Sequence, residues 1–134
     1  MSEKRHVVAV IARNHDGKYL MQMRDSQGTN PLVWCPSCGC IEPSEGVFEA
    51  AAREFEEETG QRFGPVRFAL RGFVETDTHV VHVLTLDDPI AWPSGVTEGA
   101  GWGFFSHEEI VMLRNRGCLI RWMWDVLERY LPEY

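Results

Sequence analysis

The stretch Arg53–Gly60, REFEEETG, gathers Glu54, Glu56, Glu57 and Glu58 behind one arginine and ahead of a glycine. Like charges packed this densely repel one another, so the run needs either water around it or a countercharge within it. Glu54, Glu57 and Glu58 stand at i, i+3 and i+4, which sets their carboxylates along one side of a helix. Such a side is either a solvated face or a place for a hard cation. Mg²⁺ prefers carboxylate oxygen and keeps several of its waters, so clustered glutamates suit it and thiolates do not. Arg53 lies four residues after Glu49 and four before Glu57, within reach of either carboxylate.

Upstream, Gly39 and Glu45 lie in a loop that runs straight into this helix. The whole pattern is G39-x5-E45-x7-R53-E54-F55-x-E57-E58-x-G60. Gly39, Glu45, Arg53, Glu54, Glu57, Glu58 and Gly60, each at a background of about 7%, match a fixed pattern by chance on the order of 10⁻⁸ per starting position. The stretch resembles the signature of the Nudix hydrolase family, and the box it marks runs over 39–61. An Arg-ending strand and a tryptophan ahead of the box (Arg24, Trp34), and EGAGWGFFSHEEI after it, also resemble members of that family. Three positions depart from the family pattern. Cys38 and Ser44 stand where glycines are usual, and Gln61 replaces a closing aliphatic residue.

The resemblance implies a single domain over 1–134, an α/β fold of the α/β/α sandwich type with a mixed central sheet, and hydrolysis of a diphosphate linkage in a nucleoside di- or triphosphate derivative. It implies Mg²⁺, with Mn²⁺ able to substitute, held by Glu54, Glu57 and Glu58 with Glu45 adding directly or through water. Divalent ions orient the attacking water, lower its pKa and offset charge on the non-bridging oxygens. Glu58, from the box, and Glu98, in the loop before WGFFS, are the two candidates for the general base. Arg53 orients a carboxylate, and Arg24 is placed to contact a phosphate. Two other readings stay open: a catalytically weak Nudix-like domain that binds a nucleotide, and an isopentenyl-diphosphate isomerase-like enzyme using a cysteine near the box. Members acting on dinucleoside polyphosphates or ADP-ribose often carry a tyrosine or proline after the box, where this chain has Thr76-Asp77-Thr78-His79. A short chain without added domains leans, by analogy with the fold, towards free nucleotides as substrates.

The elements that must position these residues follow from periodicity. Residues 6–13, HVVAVIAR, are β-branched and apolar enough for a buried strand. Asn14–Gly17 is turn chemistry, and KYLMQMR alternates as a second strand. Short strands are expected at 32–35 and 38–41, a loop at 25–31, and the clearest helix at 46–59 with Gly60 ending it. On that helix Phe48, Ala51, Ala52 and Phe55 share one arc, while Glu54, Glu57 and Glu58 share another. Strands at about 66–76 and 79–86 follow, then a loop over 87–101 and a last strand, WGFFS. Ser106 and Glu109 form a capping box for a helix to about Arg114. The final helix, CLIRWMWDVLERYL, is apolar around most of its circumference, with Arg121, Asp125, Glu128 and Arg129 on a narrow polar side. It reads first as core and second as a self-association surface that would make a homodimer.

Composition bounds the partners. The 134 residues carry a net charge of −7, which argues against a nucleic-acid polymer as partner. No apolar run approaches the roughly 20 residues that span a bilayer, so no membrane is expected, and the N-terminus has no secretory pattern. The expected compartment is the cytoplasm. Cys35, Cys38 and Cys40 in CPSCGC invite a zinc reading, but a fourth ligand is missing nearby. His79 and His82 fall on opposite faces of a strand, which disfavours a shared metal.

Overall fold

The structure, a computed structural model, describes residues 3–24, 33–94 and 101–130. The elements are β1 (Arg5–Ala12), β2 (Tyr19–Met23), β3 (Trp34–Cys35), β4 (Ser37–Cys40), α1 (Val47–Thr59), β5 (Phe68–Glu75), β6 (His79–Leu86), β7 (Gly101–Phe105), α2 (His107–Asn115) and α3 (Met123–Tyr130).

The strands form a mixed four-stranded sheet, β4-β1-β6-β5, and a three-stranded antiparallel sheet, β3-β2-β7. β1 and β6 are parallel from Arg5 opposite His79 to Ala12 opposite Leu86. Such a central pair is buried on both faces, which is why β1 reads as a continuous apolar run. Its alternate residues feed two cores. Val8, Val10 and Ala12 pack with Ala50, Ala51 and Phe55 of α1, while Ala9 and Ile11 pack with Ile110 of α2 and Met123, Val126 and Leu127 of α3. The result is the expected α/β/α sandwich around a mixed sheet, in one domain.

Two local expectations shift and one holds. The strand placed at about 66 begins at Phe68, because Pro65–Arg67 form a 3-10 turn ahead of it. The capping box at Ser106 is present, with the Glu109 N–H donating to Ser106 Oγ and the Ser106 N–H donating to Glu109 Oε1. The final helix starts at Met123 rather than Cys118. Cys118–Ile120 run extended instead, bridged to Trp34: the Trp34 N–H donates to the Cys118 carbonyl at 2.8 Å and the Ile120 N–H to the Trp34 carbonyl at 2.9 Å. The open edge of β3 captures backbone groups that a longer helix would have used internally. With Met123, Val126 and Leu127 buried and Asp125, Glu128 and Arg129 exposed, α3 is an ordinary amphipathic helix, not one that is apolar all round. Among the described residues, no helix is long and apolar enough to cross a membrane.

Candidate active site

α1 begins after Gly46, which is extended, and ends where Gly60 turns left-handed at φ 76° and donates its N–H to the Glu56 carbonyl at 2.8 Å. Ala50, Ala51 and Phe55 bury one face. The side that carries Glu54 and Glu57 lies over β4 and the loop into the helix, and Glu58 is buried along with Ala51 and Phe55.

Arg53 is the centre of this face. Its Nε and Nη2 donate to Glu45 Oε2 and Oε1 at 2.5 and 2.8 Å, a two-point grip on one carboxylate. Nη1 donates to Glu54 Oε1 at 2.9 Å and to Glu57 Oε2 at 3.2 Å, and Nη2 also reaches the Cys40 carbonyl at 3.0 Å. Of the two carboxylates within sequence reach, Glu57 is therefore the one engaged. The guanidinium bond holds the Glu45 carboxyl below its ordinary range, and the Glu42 N–H, donated to Glu45 Oε1 at 2.9 Å, adds to that. The same carboxylates push the Arg53 pKa upward, Glu45 first.

The three helix acids sit at different depths. Glu57 is exposed and Glu54 half-buried, while Glu58 is only 5% exposed. Glu54 rests against Gly39, where any Cβ would overlap its carboxylate. This close approach is the reason for the box glycine. Ser37 Oγ donates to Glu58 Oε2 at 2.7 Å, and Gln22 Nε2 lies 3.4 Å from Glu58 Oε1. Neither Ser37 nor Gln22 figured among the sequence candidates. The available signal was weak: Gln22 is a polar residue on the face of β2 that Leu20 commits to the core.

Arg24 follows β2, its N–H donating to the Val33 carbonyl at 2.9 Å. Its guanidinium lies against the Cys35 thiol. The neighbouring Cys38 thiol lowers the Cys35 pKa, while Cys35 and burial raise that of Cys38. All four cysteines are free. Cys38 lies within β4, paired with Ala9, so this position is extended and does not need the usual glycine. Gln61 exchanges two hydrogen bonds with the Ala91 backbone, at 2.8 and 2.9 Å, which an aliphatic residue could not make. Glu98 lies outside the described residues. Away from the site, His82 meets His6 of β1 across 2.9 Å, and His79 bonds Thr78 instead.

Among the described residues, no three of His, Cys, Asp and Glu stand close enough together to hold an ion in this side-chain arrangement. Glu45, Glu54 and Glu57 are gathered on Arg53, and Glu58 points to Ser37. The donor set nonetheless fits a hard divalent cation. All four side chains offer carboxylate oxygen, Gly39 leaves room for Glu54 against the strand, and the donors on Glu58 from Ser37 and Gln22 are neutral.

A model of the NUDIX domain matches residues 3–130. The chain belongs to the Nudix hydrolase family. Members of the family use divalent cations. Over 60 residues it is 40% identical to nucleoside triphosphatase NudI of Escherichia coli, covering 44% of this chain and 42% of NudI. Over 70 residues it is 37% identical to m7GpppN-mRNA hydrolase NUDT17 of Xenopus laevis, covering 52% of this chain and 24% of that protein. The matched segments thus span less than half of either relative. A MutT protein from Methanosarcina mazei has the same architecture, with a TM-score of 0.80 at 25% identity over 96% of this chain and 95% of that one. DR0079 from Deinococcus radiodurans shares the fold at a TM-score of 0.75 and 18% identity, over 93% of this chain and 82% of that one.

Proposed function

We propose that this Nudix domain is a pyrophosphohydrolase that cleaves a diphosphate linkage in a free nucleoside di- or triphosphate derivative, with Mg²⁺ as its cofactor and Mn²⁺ as a substitute. The observation that carries this reading is the single constellation of Glu45, Glu54 and Glu57 on Arg53 beside the buried Glu58. An acidic surface helix has no reason to bury one glutamate and bind three others to one guanidinium.

Glu54, Glu57 and Glu58, with Glu45, would hold the cation, which supplies charge neutralisation on phosphate oxygens and a more acidic water. In the reaction the water oxygen bonds to phosphorus as the bridging P–O bond breaks, and the leaving phosphate takes the electron pair. The proton lost by the water passes to a carboxylate, Glu58 or Glu98. Arg53 keeps Glu45, Glu54 and Glu57 from splaying apart. Arg24, a fixed cation at the end of β2, is the residue we assign to a substrate phosphate. The likeness to NudI supports a nucleoside triphosphate, and the net charge of −7 disfavours the long polymer implied by the name of NUDT17. We assign the cytoplasm as compartment on the pattern of cysteine usage.

The test is a phosphate-release screen of nucleoside di- and triphosphates at fixed Mg²⁺, repeated with EDTA and with Mn²⁺. Turnover that needs Mg²⁺ or Mn²⁺ is the expected result. Turnover that survives EDTA, or no turnover of any nucleotide, overturns it.

A further inference from the structure

Glu58 is held by two strands from two different sheets. Ser37 opens β4 in the four-stranded sheet, opposite Val10, whose side chain faces α1. Gln22 belongs to β2 in the three-stranded sheet, between Cys35 of β3 and Trp102 of β7. The two side chains donate to different oxygens of the same carboxylate. Ser37 is 1% exposed, so its hydroxyl has no water to turn to, and it donates to Glu58 Oε2 at 2.7 Å, a well-formed bond. Strand pairing fixes the Ser37 backbone, and a serine hydroxyl has only three staggered positions to choose from.

We propose that Ser37 is a positioning residue: with Gln22, it fixes the plane and rotamer of the Glu58 carboxylate at the seam between the two sheets, so that the acid is set before a cation arrives. This rests on the reading of Glu58 as a metal-binding acid. A glutamate on a helix has three rotatable side-chain bonds, and binding must otherwise freeze them. Glu57 lies exposed at the rim, where its carboxylate can move to meet a cation. Glu58 cannot do so, because its surroundings are packed. Its orientation must be correct in advance, and Ser37 makes it so. Hydrogen-bonded partners behind a ligand change metal affinity or activity by roughly 10–100-fold when removed.

The competing role is purely structural, in which the hydroxyl only satisfies a buried acid. The two roles separate in Mn²⁺ binding to nucleotide-free protein, followed by electron paramagnetic resonance, alongside melting of the metal-free protein and steady-state kinetics. Ser37→Ala is expected to weaken Mn²⁺ about 10–100-fold and to lower kcat while leaving the nucleotide KM unchanged at saturating Mn²⁺. Ser37→Thr, which keeps the hydroxyl, is expected to recover most of both. If Ser37→Ala melts lower but binds Mn²⁺ within about twofold of wild type, the hydroxyl is structural and the proposal is overturned. Glu58→Gln separates the two levels of failure. If that variant binds Mn²⁺ and turns over like wild type, the assignment of Glu58 itself is wrong. If it loses both while Ser37→Ala loses neither, only the positioning role falls. Should Ser37→Ala not fold, Ser37→Cys keeps the shape with a weaker donor; unchanged Mn²⁺ affinity there overturns the proposal equally.

Discussion

On α3, Asp125, Glu128 and Arg129 all face solvent, and Glu128 meets the Arg114 guanidinium of α2 at 3.8 Å. On α1, Arg53 binds Glu45, Glu54 and Glu57 at 2.5 to 3.2 Å, and Glu58 is buried against Ser37. Both helices are amphipathic, and both bury their apolar faces in the sandwich. The charges of α3 do no more than keep one side wet. Those of α1 are gathered against their mutual repulsion, which folding alone does not require. Glu56 sharpens the contrast from within α1: it lies on the outer side, 3.8 Å from Arg62, and behaves like the acids of α3.

The largest effect that can break this comparison is on turnover. Glu57→Gln preserves size and helix propensity while deleting one charge from the cluster. Hydrolysis is expected to fall by several orders of magnitude, while the metal-free protein melts at the same temperature or higher. Mg²⁺ should raise the melting temperature of wild type by linkage and that of the variant much less. Calorimetry and a phosphate-release assay check both. A variant that melts far lower and keeps its activity would make α1 no different from α3.

Next in size is the effect of removing the shared cation. Arg53→Gln leaves Glu45, Glu54 and Glu57 with their charges facing one another and their strongest donor gone. Bonds to charged groups are worth about 1.5–3 kcal/mol each when shielded, and Arg53 is partly exposed, so the metal-free protein should lose on the order of 1–3 kcal/mol. Added Mg²⁺ should restore part of that loss, because a divalent ion replaces the missing countercharge. Urea unfolding with and without Mg²⁺ measures it. Loss of stability with no rescue by Mg²⁺ would make Arg53 structural only.

How much of this contrast was legible in the sequence depends on range. The box acids, Arg53 and the two glycines are local to one helix and its entry loop, so spacing and period displayed them directly. The order of strands and helices was legible too, since β1 and β6 are apolar runs and α1 and α2 carry their end signals. What could not be read came from pairing. Ser37 and Gln22 reach Glu58 from 21 and 36 positions away, brought there by two sheets whose register no local pattern reveals. His79 is only three positions from His82, but the partner of His82 is His6, delivered by the parallel β1–β6 ladder. The final helix is shorter than its apolar run for the same reason. Its first residues look helical alone, and Trp34 recruits them as an extended segment.

A smaller effect lies in pH. The Glu45 carboxyl is depressed in the folded protein, chiefly by its bond from Arg53. A depressed acid contributes stability that is present above its unfolded pKa and is lost as pH falls through the folded value. The melting temperature should therefore drop below the ordinary carboxylate range, and Glu45→Gln should flatten part of that drop. His82 works in the window above. Burial, and then His6, lower its pKa, so the fold favours its neutral ring and loses stability as pH falls through the ordinary histidine range. Melting curves across this range for wild type and His82→Gln distinguish the two: the upper part of the slope should vanish in the variant, and an unchanged slope would sink the assignment.

The smallest expected effect is the control on which the comparison stands. Glu56→Gln on α1 and Glu128→Gln on α3 each remove one exposed acid from a loose contact at 3.8 Å. Exposed pairs of this kind contribute about 0–1 kcal/mol, and surface changes away from special features usually stay within about 0.5 kcal/mol. Both variants should melt like wild type, hydrolyse like wild type and bind Mn²⁺ like wild type, even though Glu56 lies next to Glu57 in sequence. Losing net charge near the cluster could alter cation affinity through space, but exposed charges are screened over about 10 Å at 0.1 M salt. Measuring Mn²⁺ affinity at two salt concentrations isolates that contribution. If Glu56→Gln reduces turnover as severely as Glu57→Gln does, then position on the helix does not matter and bulk acidity is what counts. The site would then be a diffuse acidic patch rather than a set of carboxylates placed by Arg53, Gly39 and Ser37.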